Sequence, residues 1–172
     1  ILGHWYTDAR NRKVDGLGLL DLTTRPQGKR SIGELVVQPE IDGLSEPLTG
    51  FENHGGGSQL GPDARPLGKV LFGKGNSILP PAGFDEQSSS PDEAVLKAPR
   101  IDGAVQGSII ATYLHGPVLA RNPQLADLLL ERALGHKLEP LEVPGVAELR
   151  RERLAATISR PELRERLERH ER

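Results

Sequence analysis

Cysteine and methionine are both absent from the 172 residues. Without a thiol the chain can build neither a disulfide framework nor a thiolate metal site. Charge of one sign is not in excess either. The 22 Lys and Arg against 24 Asp and Glu leave a net charge of -2, which gives no electrostatic case for nucleic acid or an anionic membrane as partner. No apolar run approaches the length of a membrane span, and the start does not read as a signal peptide. What remains is a chain long enough for one domain with a real core, expected to be soluble, cytoplasmic and α/β. Aromatics are scarce as well, at 3%, and two of them fall in the opening Ile1-Leu2-Gly3-His4-Trp5-Tyr6. A native terminus is usually polar and loose. This apolar one reads as the interior of a longer product that begins upstream.

Several stretches carry strand signals. Residues 17–24 are short, apolar and extended in character, and Arg25-Pro26-Gln27-Gly28 reads as a turn after them. Residues 32–38 predict the next strand, ended by Pro39. Residues 48–53 predict another, followed by the glycine run of His54-Gly55-Gly56-Gly57, and residues 68–73 a third. Residues 80–99, rich in Pro, Ser and acidic groups, predict an exposed loop. Close strands with short Gly/Pro turns suggest a β-rich stretch here rather than strict strand–helix alternation. Residues 107–114 are nearly continuous in apolar and β-branched residues, as in a strand buried on both faces.

Asn122-Pro123 then predicts a helix start, with Asn as N-cap and Pro at the first position. Leu125, Leu128 and Leu129 form its apolar stripe, and Gly135 its end. From residue 143 the composition shifts to alternating Arg and Glu. The division is therefore 1–142 for the domain and 143–172 for a charged helical tail. In the tail Leu149, Leu154 and Ile158 are expected on one face, and Ser159-Arg160-Pro161-Glu162 resembles a capping box that opens a second helix. The tail is either a solvated face or a docking helix.

Four places invite chemistry. His115 lies where the expected buried strand ends, the position at which α/β sheets collect ligands. It is a catalytic imidazole or a His that satisfies a loop hydrogen bond. Glu52, Asn53 and His54 line a pocket, or Asn53 and His54 satisfy backbone groups in a tight glycine turn. The glycines are no phosphate loop, since no Gly-Lys-Ser/Thr follows. Arg30 is a carboxylate clamp, through its planar fork, or one surface charge among many. His4, His136 and His170 are scattered without metal-ligand spacing, so no metal is expected.

Together, Gly50-Phe51-Glu52-Asn53-His54-Gly55-Gly56, the stretch from Gly107 through Thr112-Tyr113-Leu114-His115-Gly116-Pro117, and Arg121-Asn122-Pro123 resemble class I glutamine amidotransferases of the cobyric-acid-synthase type. The fuller match is to the amidotransferase subunits of lipid II isoglutaminyl synthases. It adds Gly16-Leu17-Gly18-Leu19-Leu20-Asp21, Lys29-Arg30 with Ile32-Gly33, and Leu67-Gly68-Lys69-Val70 with Gly73 and Gly75-Asn76. Corrinoid enzymes more typically resemble Gly-Tyr-Glu-Ile-His and His-Gly-Leu-Phe, which differ from the residues here. An inactive scaffold subunit is the alternative of another class.

The resemblance implies a three-layer, flavodoxin-like α/β fold whose first strands and nucleophile elbow are missing. Ile1-Leu2-Gly3 is similar to the end of the family's Cys-Gly-Gly-Tyr-Gln-x-Leu-Gly, which would put the nucleophile about five residues before Ile1. The chain alone would then be inactive. By the same resemblance His115 is the base for that thiol and Arg30 holds the glutamine substrate. No cofactor is implied in this subunit. The partner is a Mur-ligase-like synthetase that uses ATP and Mg²⁺ to amidate the D-glutamate of lipid II. Pro117 stands where many relatives carry an acid, so a third catalytic group would come from Glu52 or from the partner.

Overall fold

The computed structural model describes residues 1–8, 10, 12–76, 100–139, 141 and 144–158. Its longest element, β3 (Leu22–Pro39), runs straight through the stretch expected to turn at residues 25–28. Against its neighbour β4 (Leu48–Leu60), Pro26 faces Gly56 and Ser31 faces His54, so five steps on β3 meet two on β4. Gly28 takes the excess with a φ of 70°. The Pro-Gly signal therefore marks a bulge, which bends a strand without reversing it. The run at 54–57, also expected as a turn, lies inside β4. Of its glycines, Gly56 leaves room for Thr24, whose Cγ2 would lie 2.9 Å from a Cβ there. The strand expected from residue 17 begins only at Leu22. Before it, Leu17 and Leu19 are exposed and their amides bond to the carbonyls of Ile1 and Leu2.

β3 is paired on both edges. β4 takes one edge. The other holds β1 (Trp5–Thr7) in parallel near the start of β3 and β5 (Gly68–Phe72) antiparallel near its end. β2 (Lys13–Asp15) and β6 (Ile101–Asp102) extend this mixed six-stranded sheet. Residues 107–114 are not one buried strand. Gly107 and Ser108 make the turn of a hairpin between β7 (Ala104–Gln106) and β8 (Ile109–Ala111), whose residues are half-buried. A two-residue Gly-Ser loop is a strong hairpin signal, and Gly107 supplies its positive φ of 58°.

Period-2 alternation along β3 sends Leu35 and Val37 to one face of the sheet and Val36 to the other. On the first face they join Leu48, Leu67 and Val70 under Leu125 and Leu128 of helix α2 (Pro123–Leu134), which follows the single turn of α1 (Val118–Arg121). On the second face Val36 and Leu71 pack with Leu154 of α3 (Val146–Ile158). Helix, sheet and helix thus form an α/β layering, with each fully buried Leu contributing about 1.5–3 kcal/mol. Gly135 closes α2 as expected, in the left-handed conformation. Leu149 and Leu154 do not share a face. They are five residues apart, about 140° around a helix, and Leu149 is 52% exposed. The loop at 80–99, the second tail helix from residue 159 and His170 fall outside the described residues.

Candidate active site

Alternation along β4 divides the polar trio. Glu52 (3% exposed) and His54 (8%) point into the core face, whereas Phe51 and Asn53 point to the opposite, open face. One pocket shared by all three is therefore ruled out by the pleat itself. Glu52 accepts hydrogen bonds from the amides of Lys74 and Gly75, both at 3.0 Å, and lies 3.3 Å from His54 Nε2. His54 Nδ1 donates to the Gly56 carbonyl at 2.8 Å, within a strand and not in the glycine turn expected there. The His54 ring stacks on Tyr113 with centroids 3.9 Å apart. The Tyr113 hydroxyl is bonded to Ser58, and Ser58 to Thr24. Burial pushes the Tyr113 hydroxyl pKa up.

On the open face stand His115 and Arg30. The chain brings His115 to the free edge of β4, where its amide donates to the Phe51 carbonyl at 2.7 Å. Gly50 permits this approach, because a Cβ there would sit 2.7 Å from Leu114 Cδ2. The exposed imidazole places Nδ1 2.7 Å from the Tyr113 carbonyl. A carbonyl only accepts, so Nδ1 carries the hydrogen in the neutral ring and Nε2 keeps its lone pair. No partner meets Nε2 among the described residues, which leaves it able to take a proton from a reacting group. His115 thus follows an irregular stretch rather than the buried strand expected before it.

Arg30 donates from Nε to Asn53 Oδ1 at 2.7 Å and from one terminal nitrogen to the Asn53 carbonyl at 3.2 Å. Two of the five guanidinium donors are so committed, and the rest of the fork is free to meet a carboxylate. Phe51, bridged to His115, and Asn53, holding Arg30, are two residues apart on β4, about 7 Å along the strand. An imidazole base and an oriented cation on one exposed face suit a small substrate with a carboxylate. A separate cavity lies away from these two residues. It measures about 650 Å³, and its mostly apolar walls include Leu20, Leu22, Ala111 and Tyr113, but neither His115 nor Arg30.

Beneath His115 lies a group that no motif marks. Asp102 is fully buried, and its carboxylate accepts Thr112 Oγ1 at 2.5 Å and the Tyr113 amide at 3.3 Å. The sole trace in the sequence is an acid beside the apolar Ile101 ahead of a strand. Burial is the largest influence and pushes its pKa up to about 6, against the pull of those two hydrogen bonds; Glu52 adds to the rise and His54 opposes it. Its folded pKa therefore lies above the unfolded value near 4. The folded state binds this proton more tightly, so stability falls as pH rises from about 4 to about 6 and is level above. Asp102→Asn has no such proton to lose. The unfolding free energy of the native protein minus that of the variant should drop by about 2–3 kcal/mol between pH 4 and pH 7 in denaturant titrations. The lowered carboxyls of Asp8, Asp21 and Glu131 act in the opposite sense and cancel in this difference. A constant difference would mean that Asp102 titrates like an exposed acid.

Comparison with known proteins bears on this geometry. The family model for the CobB/CobQ-like glutamine amidotransferase domain matches residues 1–123. The chain is 33% identical over 152 residues to the glutamine-hydrolyzing lipid II isoglutaminyl synthase subunit GatD of Staphylococcus aureus, covering 87% of this chain and 53% of that protein. It is 30% identical over 161 residues to the GatD subunit of Streptococcus pneumoniae, covering 92% and 54%. A probable cobyric acid synthase of Methanosphaera stadtmanae is 31% identical over 122 residues, 67% of this chain and 20% of that protein. The chain thus spans about half the length of the GatD relatives it matches.

Proposed function

Because this chain belongs to the CobB/CobQ-like glutamine amidotransferase domain family, we propose that it forms part of a glutaminase subunit supplying ammonia to a lipid II isoglutaminyl synthase. The observation that carries this reading is the imidazole of His115, with Nδ1 committed to a backbone carbonyl and Nε2 open, on the same face as the oriented Arg30. Arg30 receives the α-carboxylate of glutamine. The nucleophile is a cysteine thiol that these 172 residues do not themselves supply. His115 Nε2 takes the thiol proton, and the thiolate attacks the side-chain amide carbon. The imidazolium returns the proton to the departing ammonia, and water then releases glutamate from the thioester. Ammonia passes to a Mur-ligase-like synthetase subunit, which uses ATP and Mg²⁺ to amidate the D-glutamate of the lipid II stem peptide in the cytoplasm.

Glu52 is not the third catalytic group in this scheme, since it faces the core and bonds to Lys74, Gly75 and His54. A corrinoid acceptor is the second reading. Matches to the GatD subunits cover 87% and 92% of the chain, against 67% for the cobyric acid synthase, which favours lipid II.

The test is glutamate release from glutamine by the full gene product together with its synthetase. Arg30→Ala should raise KM with little change in fold, weakening glutamine capture by up to about 3 kcal/mol, roughly a hundredfold. An unchanged KM would return Arg30 to the surface charges. An absence of glutamate release from the native complex would favour the scaffold subunit.

A further inference from the structure

Three consecutive residues ahead of His115 are tied to one buried acid. Asp102 accepts from the Thr112 hydroxyl at 2.5 Å and from the Tyr113 amide at 3.3 Å. The Thr112 hydroxyl in turn accepts the Leu114 amide at 3.0 Å. That last bond orients the peptide between Tyr113 and Leu114. The Leu114 N–H and the Tyr113 carbonyl belong to the same planar peptide unit and point in opposite directions. Fixing the N–H on Thr112 therefore fixes the direction of the carbonyl. The Tyr113 carbonyl is the group that holds His115 Nδ1 at 2.7 Å.

Packing braces the same peptide from the other side. The Tyr113 ring is stacked on His54 and bonded through its hydroxyl to Ser58, and Leu114 is buried against Gly50. The buried polar groups that face away from the open site thus share one effect on it.

We propose that Asp102 and Thr112 are positioning residues that set the tautomer of His115 within the subunit itself, through the Tyr113–Leu114 peptide. The proposal rests on the reading of His115 as the base. It explains how an imidazole followed by Pro117, whose side chain cannot accept a hydrogen bond, still presents a basic Nε2. A carboxylate in contact with the ring is not required for that purpose.

The experiment is ¹⁵N–¹H correlation NMR of the His115 ring in the protein at pH about 8. The native spectrum should show the hydrogen on Nδ1. Thr112→Val keeps the shape and removes the hydroxyl, so it should move the hydrogen toward Nε2, the tautomer that a free histidine side chain favours. Thr112→Ser restores the hydroxyl and should restore the native signature, which a purely structural role for the side chain would not predict. A native spectrum with the hydrogen on Nε2, or a Thr112→Val spectrum identical to the native one, would overturn the proposal. Glutaminase activity is read separately in the full gene product with its synthetase. A shifted tautomer with glutamate release unchanged would support the positioning and retire His115 as the base.

Discussion

In a glutamine-hydrolysing assembly that contains this chain, His115→Ala is expected to lower glutamine hydrolysis at least about 100-fold, the range for loss of a general base. The loss should exceed that minimum if thiol and imidazole act as one unit, because such pairs are strongly non-additive. The fold should survive. The His115 side chain is exposed, its backbone amide still reaches Phe51, and exposed substitutions of this kind usually change stability by less than about 0.5 kcal/mol. A melting temperature within a few degrees of native would therefore accompany the loss of glutamate release. In the proposed scheme a synthetase given ammonium salt in place of glutamine should still amidate its acceptor, because only the ammonia source has been removed. Glutamate release at the native rate by a well-folded His115→Ala variant would end the assignment.

The largest effect on stability is expected at Asn122. The residue is fully buried and joins three elements at once. Its Oδ1 accepts the Thr49 amide at 2.7 Å, and its Nδ2 donates to the Thr49 carbonyl at 2.8 Å and the Val118 carbonyl at 2.6 Å. Asn122→Ala strands one buried N–H and two carbonyls, and each unpaired buried group costs about 1–3 kcal/mol. With partial relaxation the loss should be about 3–5 kcal/mol, a large share of the 5–15 kcal/mol that holds an ordinary domain. Urea unfolding should show a lower midpoint with an unchanged slope. A shift of less than about 1 kcal/mol would mean that water replaces the amide at little cost.

Asn122 also shows where the amino-acid pattern misleads. Asn before Pro at a helix start is a sound capping signal, and helix α2 does begin at Pro123. Yet the side chain makes no cap bond; it is spent on β4 and α1. A local signal fixes where an element begins, not what a buried amide reaches in three dimensions. The same limit explains the Pro-Gly at residues 26–28, where the bulge depends on β4, remote in sequence. Strands ending at Pro39 and starting at Gly68, the α2 stripe and the mixed layering were legible because each follows from composition and period. His115 and Arg30 stood out by their motifs, and both stand on the open face. Asp102 and Thr112 were invisible, since their bonds exist only once β6 and the segment beyond β8 are brought together.

The alternation of β4 imposes a rule of parity on any change in its length. Inserting one residue between Thr49 and Glu52 would exchange the two faces beyond it, exposing the Glu52 carboxylate and carrying Asn53 into the apolar interior. Arg30 would lose its anchor and Tyr113 its stacking partner in the same event. Two inserted residues would preserve the facing of every side chain and merely shift them along the strand. Natural length variants of this domain should therefore change β4 by even steps or place odd changes in the loops beyond it. A viable odd insertion within β4 should be accompanied by a compensating bulge that restores the order of faces.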